Sequence, residues 1–269
     1  MIEALNNILI YISSIFLSVN VLTIEANNTD YEDSIPTKIV SDIEVEEIQE
    51  SLVPVKNQTY TNTTDWWKYP SNIKAVTRDG NDLLVLVNKE YKLPSTFVPS
   101  GLVKVTDAVI RNGDKYYLRS ILINDLRNLV TAATADGIDL CVISAYRSYA
   151  TQTSTYNYWV QYNGGDTDAA DRISARPGHS QHQLGTAIDF SSKEVSDSIG
   201  TRFNQTKASA WLQSNAYKYG FVISFPYGYE RITGFSYESW HYRYIGVENA
   251  QEMKNKGQIL EIYLEGKNP

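Results

Sequence analysis

Gly178-His179-Ser180-Gln181-His182-Gln183-Leu184-Gly185-Thr186-Ala187-Ile188-Asp189 runs on into Phe190 and Ser191, and its second half decides the kind of fold this chain adopts. From Thr186 onward the residues alternate as in a strand with two different faces. Asp189 shares one face with Ala187 and Ser191, while Ile188 and Phe190 point into the core. A carboxylate between small neighbours leaves room for an ion. A second segment, Glu238-Ser239-Trp240-His241, opens the last predicted strand, residues 240–245. There His241 and Arg243 share a face, with Trp240, Tyr242 and Tyr244 on the other. All three histidines, His179, His182 and His241, fall in these two segments.

Outward from this pair, the remaining elements can be placed by period and punctuation. Leu122, Leu126, Leu129, Val130 and Ala133 recur at helical spacing within a helix over 118–135, which Gly137 ends. A buried strand surrounds Cys141, and further helices are expected over 149–162, 207–219 and 247–265. Leu83-Leu84-Val85-Leu86-Val87 reads as a strand, as does 221–225, and the Gly- and Pro-containing stretch 164–178 reads as a loop. Helices and strands mix without a regular βαβ repeat, which predicts an α+β fold: a small, mainly antiparallel sheet flanked by helices.

The N-terminal quarter differs in kind. Residues 8–24 form an apolar stretch interrupted only by Ser, Asn and Thr, at the lower end of length for a membrane span. Residues 1–25 are therefore expected to be an export signal or an uncleaved anchor. Residues 26–75 read as an acidic, Asn- and Thr-rich disordered spacer, and 76–269 as the folded domain. Between 25 and 56, nine acids against two bases give −7, the formal charge of the whole chain. The domain itself is nearly neutral, so it lacks the basic footprint of a nucleic-acid binder. The one cysteine, Cys141, excludes an internal disulfide and reads as a packed, inert thiol. The 20 Tyr and 5 Trp suit a surface that handles sugars or peptides, and equally suit an ordinary packed domain.

The two histidine segments carry the chemistry. A catalytic zinc commonly takes three protein ligands and leaves a fourth position for water. His182, Asp189 and His241 meet that need, placing one zinc per domain at the sheet. Glu238 would serve as general base on the metal-bound water. An ideal strand would aim Glu238 away from His241, so this assignment requires the chain to turn near Ser239. His179 would complete a closed four-ligand site and block the water, so it is expected at the rim or behind a ligand, or in a solvated structural role. Arg243 is expected to brace the site or fill a salt bridge.

Ser180-x-His182-x-x-Gly185-x-Ala187-x-Asp189, followed by Glu238-x-Trp240-His241, resembles the D-alanyl-D-alanine carboxypeptidases of the VanY type, within the wider lysostaphin-like metallopeptidases. The likeness extends to Ser144-Ala145-Tyr146-Arg147-Ser148 with Gln152, and to the run from Trp240 to Gly246. It covers roughly residues 80–260. The resemblance implies that His182, Asp189 and His241 bind zinc and that Glu238 is the catalytic base. It implies that Arg147 stabilises the oxyanion and that Gln152 and Ser180 hold the peptide end. The implied substrates are peptidoglycan stem peptides, hydrolysed at a terminal D-alanine outside the cytoplasmic membrane by a monomer, with a possible membrane tether. An L,D-carboxypeptidase or an endopeptidase of the same fold is the alternative. A wall-binding module without catalysis has no reason to keep a base beside a metal site.

Overall fold

The computed structural model describes residues 65–268. The apolar segment and most of the acidic spacer lie outside the described residues. Among the described residues, no helix is long and apolar enough to cross a membrane. The elements run β1 (Lys74–Ala75), β2 (Tyr91–Lys92), β3 (Leu102–Lys104), β4 (Tyr117–Arg119), α1 (Ile123–Ala135), β5 (Cys141–Ser144), α2 (Tyr149–Tyr162) and α3 (Thr167–Ile173). They continue as β6 (Ala187–Ser191), α4 (Lys207–Asn215), β7 (Phe221–Ile223), α5 (Glu230–Thr233), β8 (His241–Tyr244), α6 (Val247–Asn255) and α7 (Leu260–Glu265). The fold is α+β, as the mixed pattern predicts.

The central sheet is antiparallel, in the order β5-β6-β8-β7. One face carries Val142, Ile188, Phe190, Phe221, Tyr242 and Tyr244 into a core completed by Leu126 and Leu129 of α1 and Leu212 of α4. The strand alternation of the sequence is thus satisfied, and Asp189, His241 and Arg243 are left on the opposite face. Helix α1 ends in a Schellman motif: Gly137 takes φ +75°, its N–H bonds Thr134, and the N–H of Ile138 bonds Ala133 at 2.8 Å. A second core joins α6 and α7 to the sheet through Leu86, Val222, Ile245, Met253 and Tyr263.

Several expectations are corrected. Residues 83–87 are no strand. Leu83 and Leu84 form a turn, with the Val85 N–H on the Asp82 carbonyl, and the segment packs Val85 and Val87 against Leu184 and Leu86 against the C-terminal helices. Several of its backbone groups are satisfied by side chains: Arg243 Nη2 donates to the Leu83 and Val85 carbonyls, and Asn268 bonds the Leu84 carbonyl and the Leu86 N–H. The helix expected from 118 starts at Ile123, because Tyr117–Arg119 pairs with β3. The stretch 164–178 contains α3, capped by Asp166, whose carboxylate accepts from the Ala169 N–H at 3.0 Å. The helix expected over 247–265 is two, α6 and α7, broken around Gly257 at φ +61°. Residues 65–75, assigned to the spacer by composition, lie on the domain. The Tyr69 hydroxyl accepts from the Arg176 N–H at 2.8 Å, and the Arg172 guanidinium stacks over Trp67 at 3.7 Å.

Candidate active site

The register of two strands creates the site. Asp189 of β6 lies directly opposite His241 of β8, with Ser144 of β5 on its other side. Directly opposed residues bring their side chains into contact, and His241 Nδ1 stands 2.9 Å from Asp189 Oδ1. His182 reaches the same carboxylate from a tight turn just before β6, with Nε2 at 3.2 Å from Oδ2. That turn is held by the Ser180 hydroxyl, which accepts from the His182 N–H, and by Gly185 at φ +66°. A Cβ at Gly185 would come within about 3.1 Å of Pro99, Leu102 and Arg119, so only glycine fits both the space and the left-handed backbone.

The remote nitrogens decide which way the imidazoles face. His182 Nδ1 lies 2.7 Å from the Ala145 carbonyl, which fixes Nδ1 as the protonated nitrogen and leaves the Nε2 lone pair toward Asp189. His241 is turned the other way round. Its Nε2 lies 3.2 Å from Gln181 Oε1, which also accepts from the Ser224 hydroxyl, and its Nδ1 faces Asp189. Gln181 and Ser224 are functional neighbours that spacing alone missed. The available signal was the position of Gln181 inside the histidine segment. Among the described residues, His182, Asp189 and His241 are the group whose ligand atoms all lie within 4.8 Å of one another. One carboxylate and two imidazoles, all buried and each imidazole backed by a carbonyl oxygen, are the donor set of a divalent transition metal.

Charge follows burial here. Burial drives the His182 pKa down to about 4, against the pull of Asp189, so its ring is neutral at physiological pH. Burial pushes the Asp189 carboxyl up, but its interactions with His182 and then His241 more than offset it and hold it below the usual carboxylate range. Glu238 is placed beside them by the turn the sequence required. Ser239 and Trp240 form a turn, closed by the His241 N–H on the Glu238 carbonyl at 3.3 Å. Glu238 Oε2 then stands 3.8 Å from His241 Nδ1, and its side chain keeps 16% exposure while the three cluster side chains keep 4–6%. Desolvation, then the charge of Asp189, raises the Glu238 pKa well above the usual carboxylate range, with Arg147 opposing.

Arg147 is held from both ends. Its backbone N–H bonds the His182 carbonyl, Nη1 donates to Gln152 Oε1 at 2.9 Å, and Nη2 donates to the Ser144 hydroxyl at 3.0 Å. Gln152 spends its other end on the Ala175 carbonyl at 2.6 Å. Gln152, which the resemblance assigns to holding the peptide end, is buried with its Oε1 on Arg147. His179 is not solvated. It is buried, with Nδ1 at 2.7 Å from the Asn88 carbonyl and its ring edge against Tyr69, outside the metal cluster. Arg243 is fully buried and bonds carbonyls of the 83–87 segment instead of a carboxylate. Cys141 is buried, which pushes its thiol up to about 12 and makes it a poor nucleophile.

Residues 115–247 match the family model VanY, described as D-alanyl-D-alanine carboxypeptidase. The chain is 36% identical to YodJ of Bacillus subtilis (strain 168), a provisionally named carboxypeptidase, over 74% of each protein. Among solved structures it is similar to the LD-carboxypeptidase LdcB, at 35% identity and a TM-score of 0.66, covering 74% of this chain and 92% of that one. It is also similar to a variant of VanY, the D,D-pentapeptidase of a VanB-type vancomycin resistance cassette, solved in complex with Zn(II). That match has 34% identity and a TM-score of 0.56, covering 67% of this chain and 98% of the other.

Proposed function

This chain belongs to the VanY family of D-alanyl-D-alanine carboxypeptidases, and from that premise we propose that it removes the carboxy-terminal D-alanine from peptidoglycan stem peptides. The observation that carries the reading is the convergence of His182, Asp189 and His241 on one point, with Glu238 at its edge. His182 Nε2, a carboxylate oxygen of Asp189 and His241 Nδ1 would hold one zinc ion. When bound, zinc supplies Lewis acidity and lowers the pKa of a coordinated water toward neutrality.

The protein's own residues supply the rest. Glu238 accepts the proton of the attacking water and returns it to the departing amine. Its raised proton affinity and partial exposure suit that exchange. Arg147, oriented by Gln152 and Ser144, opposes the negative charge that attack places on the carbonyl oxygen. Gln181 and the Ala145 carbonyl keep each imidazole in the tautomer that binds metal. The apolar residues 8–24 would export or tether the protein, putting the domain outside the cytoplasmic membrane within reach of the wall.

The similarity to LdcB, an LD-carboxypeptidase, supports a second reading, in which the scissile bond joins an L-residue to a single terminal D-alanine. Both readings are tested together by incubating the zinc-loaded protein with one peptide ending in D-Ala-D-Ala and another ending in L-Lys-D-Ala. Mass spectrometry should find one D-alanine lost, and the peptide that loses it assigns the branch. A folded, metal-loaded protein that leaves both peptides whole would overturn the proposal.

A further inference from the structure

The last turns of α2 carry an exposed aromatic cluster that the chemistry above leaves unused. Tyr158 and Tyr162 are 57% and 69% exposed. Their rings are nearly parallel, at 27° with centroids 6.1 Å apart, and the Trp159 ring stands edge-on to both. The three rings thus form a compact aromatic cluster in which both tyrosines are exposed. Exposed polar side chains surround it, from Asn157 and Gln161 on the same turns and Ser154 one turn earlier. The helix contains no charged residue from Tyr149 to Tyr162.

We propose that Tyr158, Trp159 and Tyr162 form a binding site for the neutral glycan strand to which the peptide substrate is attached. The inference rests on the peptidoglycan reading above and extends it from the peptide to the sugar. Aromatic faces pack against the C–H faces of pyranose rings, while phenol, amide and hydroxyl groups meet the sugar hydroxyls and acetamido groups. A second copy of the chain is a poor occupant. Each aromatic side chain offers at most roughly 150–250 Å², and these are partly covered, so the cluster falls well short of the ~800 Å² per partner of a stable dimer. A membrane surface is also a poor fit. The residues that follow the cluster include the acids Asp166 and Asp168, whereas interfacial anchors on anionic lipid need Lys and Arg.

Position supports the same occupant. The first turn of α2 holds Gln152, which orients Arg147. At about 1.5 Å of rise per residue, Tyr158 and Tyr162 lie about 9 and about 15 Å further along the helix axis. An extended peptide of four or five residues spans about 13–18 Å. A stem whose terminal residue reacts beside Arg147 would therefore deliver its sugar end over a distance that this helix also covers.

The test uses the full-length chain, wild type and Tyr158→Ala/Trp159→Ala/Tyr162→Ala, with a neutral β-1,4-linked N-acetylglucosamine oligosaccharide as the glycan probe in titration. The triple variant should lose at least tenfold in glycan affinity while keeping its kcat/KM on a free, sugar-less peptide. Tyr158→Phe/Tyr162→Phe, which keeps the rings, should retain most of the binding. Unchanged glycan binding in the alanine variant would overturn the proposal. So would loss confined to vesicles of anionic lipid or to self-association, each of which assigns the cluster to another partner. Peptide hydrolysis absent from the wild type would overturn the function proposed above instead, and the glycan titration would still decide the role of the cluster.

Discussion

Glu238 is the residue on which turnover should depend most and metal binding least. It stands at the edge of the cluster, keeps some exposure, and has a proton affinity raised by burial and by Asp189. Glu238→Gln preserves its size and removes its basicity, so kcat should fall on the order of 10²–10⁴-fold while the zinc content stays unchanged. Steady-state kinetics with elemental analysis of the same sample checks both halves. A variant with near-normal kcat would take Glu238 out of the mechanism. His182, Asp189 and His241 were legible in the sequence because strand alternation puts Asp189 and His241 on polar faces and the motif around them resembles a known family's. The proximity of Glu238 was not derivable, since it depends on a turn at Ser239 and Trp240 that no turn-favouring Gly or Pro announces. The bond of Gln152 to the Ala175 carbonyl was not legible either, since only the folded loop brings Ala175 to it.

At the level of elements, the errors lie where long-range side chains replace a neighbouring strand. Leu83–Val87 is a continuous apolar run with a buried strand's composition, yet its backbone partners include Arg243 and Asn268, about 160 and 184 residues further on. No local period encodes that. The helix α7 contains a comparable surprise in Glu261, a carboxyl 5% exposed that accepts a hydrogen bond from Asn88. Burial first, then the charges of Glu265 and Glu90, raise its pKa to about 8. The folded value thus lies above the unfolded one, so the native state binds the proton more tightly. The stabilising contribution is fully present below the unfolded pKa and is lost as pH rises through about 8. Glu261→Gln keeps the acceptor for Asn88 and cannot ionise. Its stability should match wild type near pH 4 and exceed it increasingly up to pH 8, by at most about 1.4 kcal/mol per pH unit. Urea denaturation at three pH values measures this, and a pH-independent difference would show that the Glu261 carboxyl is not held protonated.

For the whole molecule, composition placed the domain boundary near residue 75, and packing places it earlier. Asn, Thr and acidic residues dominate the approach, but Trp67 and Tyr69 dock on Arg172, Arg176 and His179. A chain beginning at Asp65 should hydrolyse soluble peptides as well as the full chain does. A chain beginning at Val76 loses both aromatic anchors and the β1–β2 pairing, and should be less stable by roughly 2 kcal/mol or more. Denaturant midpoints of the two truncations settle the comparison, and equal midpoints would return residues 65–75 to the spacer. The claim that everything else depends on is that two imidazoles and one carboxylate hold a metal. Elemental analysis of the purified protein tests it directly. About one zinc per wild-type chain is expected, with occupancy lost in His182→Ala and in His241→Ala. Full zinc occupancy in both folded variants would contradict the assignment.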